Sequence, residues 1–147
     1  MGDFIALSYK PTDTIGDINR TPLEAIKDFE KTLEIFPSQK LAFFEISWST
    51  SDFVNGTNQD QEQFIKSSLI FFEENESQIE FFTISRLFDK PKGNCLSQNI
   101  ESIAGSGFQS NSFRLERADE YICNSGLIDT DENAKPAWTQ LKTNIPN

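Results

Sequence analysis

The stretch Leu41-Ala-Phe-Phe-Glu45-Ile-Ser-Trp48-Ser-Thr50 joins four apolar residues to an acid, a tryptophan and three hydroxyls. Four consecutive apolar residues opening onto polar ones suit a buried strand with both faces covered. An ionised carboxylate is costly beside so much apolar surface unless the strand mouth is solvated or functional. In parallel α/β sheets, ligands and catalytic groups collect at the carboxyl ends of the strands. Glu45 stands at such an end and is the first candidate for chemistry.

Two further runs share this character, Asp3-Phe-Ile-Ala-Leu-Ser-Tyr9 before it and Ile79-Glu-Phe-Phe-Thr-Ile-Ser85 after it, and the three start 38 residues apart. Helical patterns fill the intervals. Thr21-Pro-Leu-Glu24 is a capping box with proline at the first helical position, and Leu23, Ile26, Phe29 and Leu33 follow at helical spacing before Pro37. Ser49 to Asn58 is polar and turn-rich, which predicts a loop. A second helix is expected from about Gln59 to Glu74, with Phe64, Ile65, Leu69 and Phe72 inward. Strand–helix–strand–helix–strand in this rhythm predicts parallel, right-handed βαβ units.

The remainder is less regular. Asp89 to Arg117 is rich in Pro, Gly, Ser and Asn and reads as a long loop with a short helix near Ser97 to Ile103. Helix is expected again at Glu116 to Cys123 and from about Lys135 to Lys142. No composition shift marks a boundary, so residues 1–147 read as a single domain.

Composition narrows the function. With 13 basic and 23 acidic residues the net charge is −10 and no basic cluster exists, which disfavours nucleic acid. There is no histidine. That removes Ser-His-Asp and Cys-His catalysis and the commonest zinc ligand, leaving acid–base chemistry to carboxylates, Tyr, Lys or Cys. No cofactor or metal is implied, since Cys95 and Cys123 match no metal spacing. They read as two ordinary thiols, and a disulfide between them would need an oxidising compartment. The apolar runs are too short for a membrane span. The residues after Met1 lack a basic leader, so a cytoplasmic location is expected, or a secreted or cell-surface one if the chain belongs to a longer precursor. In that case the triplets at Asn19, Asn55 and Asn75 become glycosylation acceptors.

Phe43-Phe-Glu45-Ile-Ser-Trp48-Ser-Thr resembles the strand-seven signature of retaining glycoside hydrolases with a (β/α)8 barrel, T/F-E-I/L-G-W/Y-P/S-S/T. Gly126-Leu-Ile-Asp-Thr-Asp-Glu-Asn-Ala-Lys135-Pro-Ala-Trp138 is similar to the closing segment of those enzymes. Between these two, Arg86-Leu-Phe-Asp89-Lys-Pro resembles the end of strand eight, and Asp3 to Tyr9 with Lys10-Pro resembles strand six. The resemblance spans essentially the whole chain, in order. It implies a partial barrel of three parallel βα units, the C-terminal half of a TIM barrel, where a full barrel takes about 250 residues.

By that resemblance Glu45 is the nucleophile, attacking the anomeric carbon. Trp48 stacks on a sugar ring, Tyr9 hydrogen-bonds the nucleophile, and Asp89 lies at the substrate side of the next strand end. Bland readings stand beside each: a strand-end acid that caps or pairs, a packing tryptophan, a core tyrosine, and Asp-Lys-Pro as an ordinary turn. Trp138 reads as packing alone. Retention requires a second carboxyl group roughly 5–5.5 Å from the first. Glu73, Glu74, Glu76 and Glu80 are poorly placed for it, and the family's acid/base glutamate belongs to strand four, which has no counterpart here. The family's glycine after Glu-Ile is Ser47, its second strand-six tyrosine is Lys10, and its strand-eight tryptophan is absent, so no sugar specificity transfers.

Two readings result. The first is a glycosidase fragment holding the nucleophile half of a site, inactive alone, with a β-glycan or oligosaccharide as substrate. The second is a non-catalytic α/β domain, made from a barrel remnant, that binds carbohydrate or protein. A three-stranded parallel sheet leaves two unpaired edges and an open face, which favours self-association or a partner chain that completes the barrel.

Overall fold

The computed structural model describes residues 4–96 and 111–144. Strand β1 (Ile5–Tyr9) leads through helix α1 (Pro22–Ile35) to β2 (Leu41–Ile46), then through a 3-10 turn (Asp52–Val54) and α2 (Asn58–Glu74) to β3 (Ile79–Ile84). Helices α3 (Ser112–Cys123) and α4 (Pro136–Asn144) complete the chain. The strands are parallel and lie side by side in chain order, β1-β2-β3. Among the described residues the result is a mixed α/β arrangement, one open sheet with four α-helices.

The helices start where their caps allow. The Glu24 N–H donates to Thr21 Oγ1 while the Thr21 N–H donates to Glu24 Oε2, which closes the predicted box, and Pro22 follows it. Thr57 accepts from the Asp60 N–H at 3.0 Å and starts α2 one residue before the expected point. Asn111 accepts from Arg114 N–H and opens α3 at Ser112, four residues ahead of the expected Glu116. The short helix expected near 97–103 lies outside the described residues.

Both connecting helices press on the same face of the sheet. Phe29 of α1 lies 4.7 Å from Phe43 of β2 and 5.6 Å from Phe71 of α2, centroid to centroid, and Phe43 and Phe71 also meet. Ile46, Trp48, Phe64, Ile65 and Ile79 extend this core. Leu23, expected inward, is 64% exposed, because the inner stripe of α1 runs Pro22, Ala25, Phe29. Helix α4 packs on α2.

The other face is uncovered, which corrects the expectation drawn from continuous apolar strands. Phe44 is 60% exposed, Ala6, Ser8 and Thr83 face solvent, and the rings of Phe4 and Phe81 meet edge to face at 5.7 Å. Among the described residues nothing packs over these side chains.

The strands are not in simple register. Phe43 pairs with Phe82 and Ile46 with Ile84, so Phe44 and Glu45 together oppose the single residue Thr83. On the other side Leu7 pairs with Phe43 but Ser8 with Glu45. This is a β-bulge, an extra residue that re-aims the side chains after it. Strict alternation from Phe43 would send Glu45 into the aromatic core. With the bulge, Phe43 and Ile46 both face the helices, and Phe44 and Glu45 both escape them.

Phe64 and Phe44 should respond oppositely to truncation. Phe64→Ala is expected to cost about 3–5 kcal/mol in urea unfolding, through transfer and cavity terms, whereas Phe44→Ser should stay within about 0.5 kcal/mol. A large loss for Phe44→Ser would show that the open face is buried in solution.

Candidate active site

The carboxyl ends of the three strands are held level by two ladder bonds that outrun the strands themselves, Ser47 N–H to Tyr9 O at 3.2 Å and Ser85 N–H to Ile46 O at 3.0 Å. Helix α3 lies beside these mouths. Its Tyr121 phenol donates to Ser47 O at 2.8 Å and stands 3.1 Å from Ser47 Oγ. Strand ends and helix enclose a small hollow of about 40 Å³ lined by Lys10, Glu45, Ser47, Ser85, Arg86, Tyr121, Ile122 and Ser125. Glu45 is half-buried there. It is the sole carboxylate among the described residues lining this hollow.

Tyr121 was not foreseen as part of the site. It sits in an undistinguished helix 74 positions beyond Ser47, and only the packing of α3 brings it to the strand mouth. Burial pushes its phenol well above the ordinary tyrosine value, the hydrogen bond with Ser47 opposes that rise, and the nearby Glu45 charge adds to it. A second hollow, about 310 Å³ and mostly apolar, adjoins the first through Lys10 and Tyr121 and is walled by Thr12 to Gly16, Leu96 and Arg114.

The other predicted residues are not brought to Glu45. Tyr9 shares the helix-facing side of β1 with Leu7, packs 4.8 Å from Phe29, and donates its hydroxyl to Asp28 Oδ2 at 2.8 Å. Its phenol therefore serves the core, and burial, then the Asp28 bond, raise its pKa. Trp48 is 1% exposed, with its ring 5.1 Å from Phe64 and its carbonyl accepting from buried Gln61 Nε2 at 2.8 Å. It has no free ring face to offer a sugar, so the packing reading of Trp48 replaces the stacking one.

Asp89 makes a buried ion pair with Lys135 at 2.6 Å and accepts from the Gly126 N–H at 2.7 Å. The approach is close: a Cβ on Gly126 would stand 2.3 Å from Asp89 N. Lys135 also donates to Thr50 Oγ1 at 2.9 Å, tying the β2 loop to the closing segment. Burial raises the Asp89 pKa and lowers that of Lys135, and their mutual attraction opposes both shifts. Asp89 is thus a clasp between strand end and closing turn, away from the hollow.

The cysteines pair, correcting the reading of two ordinary thiols. Cys95 and Cys123 form a disulfide with Cα atoms 5.5 Å apart. Beside it, the exposed loop before Leu96 is gathered by Asp119, whose carboxylate accepts from the N–H groups of Gly93, Cys95 and Leu96 at 2.6, 3.1 and 3.1 Å. Both bonded sulfurs lie near that carboxylate, but joined to each other they offer no thiolate to a metal.

No protein-family profile and no curated protein sequence matches the chain. Solved structures do. A GH2 beta-galacturonidase from Eisenbergiella tayi bound to galacturonate is similar over 97% of this chain, with a TM-score of 0.54 and 14% identity. A structure of a GH2 beta-galacturonidase from the same organism bound to glycerol matches 97% of the chain with a TM-score of 0.51 and 15% identity. The chain spans about a quarter of those proteins, 23% and 24% of their lengths. At such identity the likeness is one of fold.

The two tyrosines of the chain supply a test of the site's burial. Both have pKa values raised above the ordinary value of about 10. The folded state keeps protons that the unfolded chain would release, so stability present below about pH 10 is lost as pH rises past it. Tyrosinate absorbance should therefore appear in one step with unfolding. A gradual titration near pH 10 with native circular dichroism retained would contradict this burial.

Proposed function

We propose that the chain carries the nucleophile half of a retaining glycosidase site on a segment of a (β/α)8 barrel, and that its substrate is a carbohydrate, a β-glycan or oligosaccharide. The observation that supports this most is the bulge at Phe44 and Glu45. It turns a strand carboxylate out of an aromatic core and into a polar mouth, where a plain alternating strand would bury it. The winding agrees. Strands in chain order with both connecting helices on one face curl the same way at each step, as in a barrel, whereas a doubly wound sheet reverses and places helices on both faces.

In this reading Glu45 attacks the anomeric carbon, the glycosidic C–O bond breaks, and the departing oxygen takes a proton from a second carboxylic acid. Water then attacks the same carbon, giving its proton to that second carboxylate and releasing Glu45 from the ester. The hollow holds one carboxylate among the described residues, and in this reading the acid/base group is supplied by further units of a longer polypeptide or by a partner chain. The uncovered sheet face, with Phe4, Phe44 and Phe81, is where such units would pack. The same lone carboxylate favours the alternative, a remnant that binds carbohydrate or protein without turnover. The Cys95–Cys123 bridge supports a secreted or cell-surface setting over a cytoplasmic one.

The isolated chain should show no measurable hydrolysis of aryl β-glycosides. In a form completed by an acid/base glutamate, a 2-deoxy-2-fluoro glycoside should add its sugar mass to the peptide containing Glu45, and Glu45→Gln should abolish both labelling and turnover. Labelling of another residue, or turnover that survives Glu45→Gln, would remove the proposed nucleophile.

A further inference from the structure

Asp89, Glu120 and Asp119 all hold carboxylates withdrawn from solvent. The first two pair with lysines, each at 2.6 Å. Asp119 differs: among the described residues no cation stands within 4.0 Å of it. Its charge is held by the backbone N–H groups of Gly93, Cys95 and Leu96 alone. Beside it lie the two bridged sulfurs, and one ligand atom from each of Cys95, Asp119 and Cys123 falls within 4.8 Å of the others.

While the bridge stands, neither sulfur is a thiolate that a cation could take. A dithiol reductant changes this. Its two electrons and two protons pass to the bridge, the S–S bond breaks, Cys95 and Cys123 become thiols, and the dithiol closes into its own disulfide. Two thiols and a buried carboxylate then face one small space. Zinc takes sulfur at about 2.3 Å and carboxylate oxygen at about 2.0–2.2 Å, and tetrahedral angles set those two atoms roughly 3.6 Å apart. Cys123 Sγ and Asp119 Oδ2 stand 3.6 Å apart. The same angles ask for roughly 3.8 Å between the sulfurs. Rotation about the Cα–Cβ bonds supplies that separation with the Cα atoms 5.5 Å apart. The three N–H groups fix the direction of the carboxylate, as outer partners do around metal ligands. Cys123 is fully buried and Cys95 half-buried, so the ion enters from the Cys95 side, where water takes the fourth position.

We propose that Cys95, Cys123 and Asp119 become a zinc site once the bridge is reduced. Binding expels the two thiol protons to water and replaces a covalent clasp with a coordinate one. Thiolate ligands select such a borderline-soft cation over calcium or magnesium. Helix α3, and Tyr121 with it, is thereby kept at the strand mouths in a reducing compartment as well as an oxidising one. The site stands apart from Glu45 and does not depend on the glycosidase reading.

The test is metal binding by the full chain, either oxidised or reduced with a phosphine that is then removed without air, with cobalt(II) and zinc(II) as probes. The reduced chain is expected to bind cobalt with a thiolate-to-metal charge-transfer band that zinc abolishes, and zinc should raise its melting temperature. The oxidised chain and the Cys95→Ser/Cys123→Ser double variant should show neither. Asp119→Asn should weaken zinc binding by more than the roughly 10–100-fold that loss of an outer partner costs. Where reduction loosens the fold, zinc should restore near-ultraviolet circular dichroism to the reduced chain and not to the double variant. No charge-transfer band in the reduced chain, an equal zinc-induced melting shift in the double variant, or zinc affinity unaltered by Asp119→Asn overturns the proposal.

Discussion

Every connecting helix in this chain lies on the same side of its sheet, and the rest of the structure depends on that one-sidedness. The pile of Phe29, Phe43, Phe64 and Phe71, with Tyr9 and Trp48 at its margins, joins α1 and α2 to the strands and is the main apolar mass of the protein. Aromatic side chains bury large areas and add edge and offset contacts of their own. Once both helices are anchored there, polar or open features can reside only on the opposite face or at the strand ends. The exposed Phe44 and the solvated mouths are two results of the same arrangement.

The mouth itself is held from outside the sheet. Helix α3 is pinned by the Cys95–Cys123 bridge, by Asp119 collecting three backbone N–H groups, and by Tyr121 on Ser47. The Arg117–Asp17 ion pair links the same helix to the loop after β1. Lys135 and Asp89 fasten the closing segment to the end of β3. A buried ion pair offsets its desolvation only when its remaining hydrogen-bonding positions are satisfied. Here Gly126 and Thr50 satisfy them. The region around Glu45 is therefore built from charged and polar ties between segments far apart in sequence, whereas the helix-facing side is built from apolar contact.

That division explains what could be read from residue order. Strand positions, the Thr21 capping box and the bounds of α2 and α4 are local properties, set by apolar period and cap chemistry, and they were legible. So was Glu45 at a strand mouth. Trp48 faces the core for a reason of parity, since register shifts at Phe44 and turns the residues after it. Tyr9, in contrast, alternates plainly in β1 and faces the helices because α1 and α2 lie on that side, which residue order alone does not mark. Tyr121 and the disulfide depend on long-range packing of α3, to which no short motif in Glu116 to Cys123 points. The uncovered sheet face was hidden differently, since an apolar run looks the same whether or not anything lies over its second side.

The bulge makes the identity of any one residue in this strand less important than the number of residues between Phe43 and Ile46. Remove one and plain alternation resumes with a single outward residue between Phe43 and Ile46, so the acid could stay only by taking the place of Phe44 on the open face. Add one and plain alternation sends the middle of the three residues in among the phenyl rings, where an acid would be driven to protonate. Lineages of this chain would accordingly exchange side chains here more readily than they would gain or lose a codon, so fixed spacing rather than fixed spelling is the trace that selection for this carboxylate would leave.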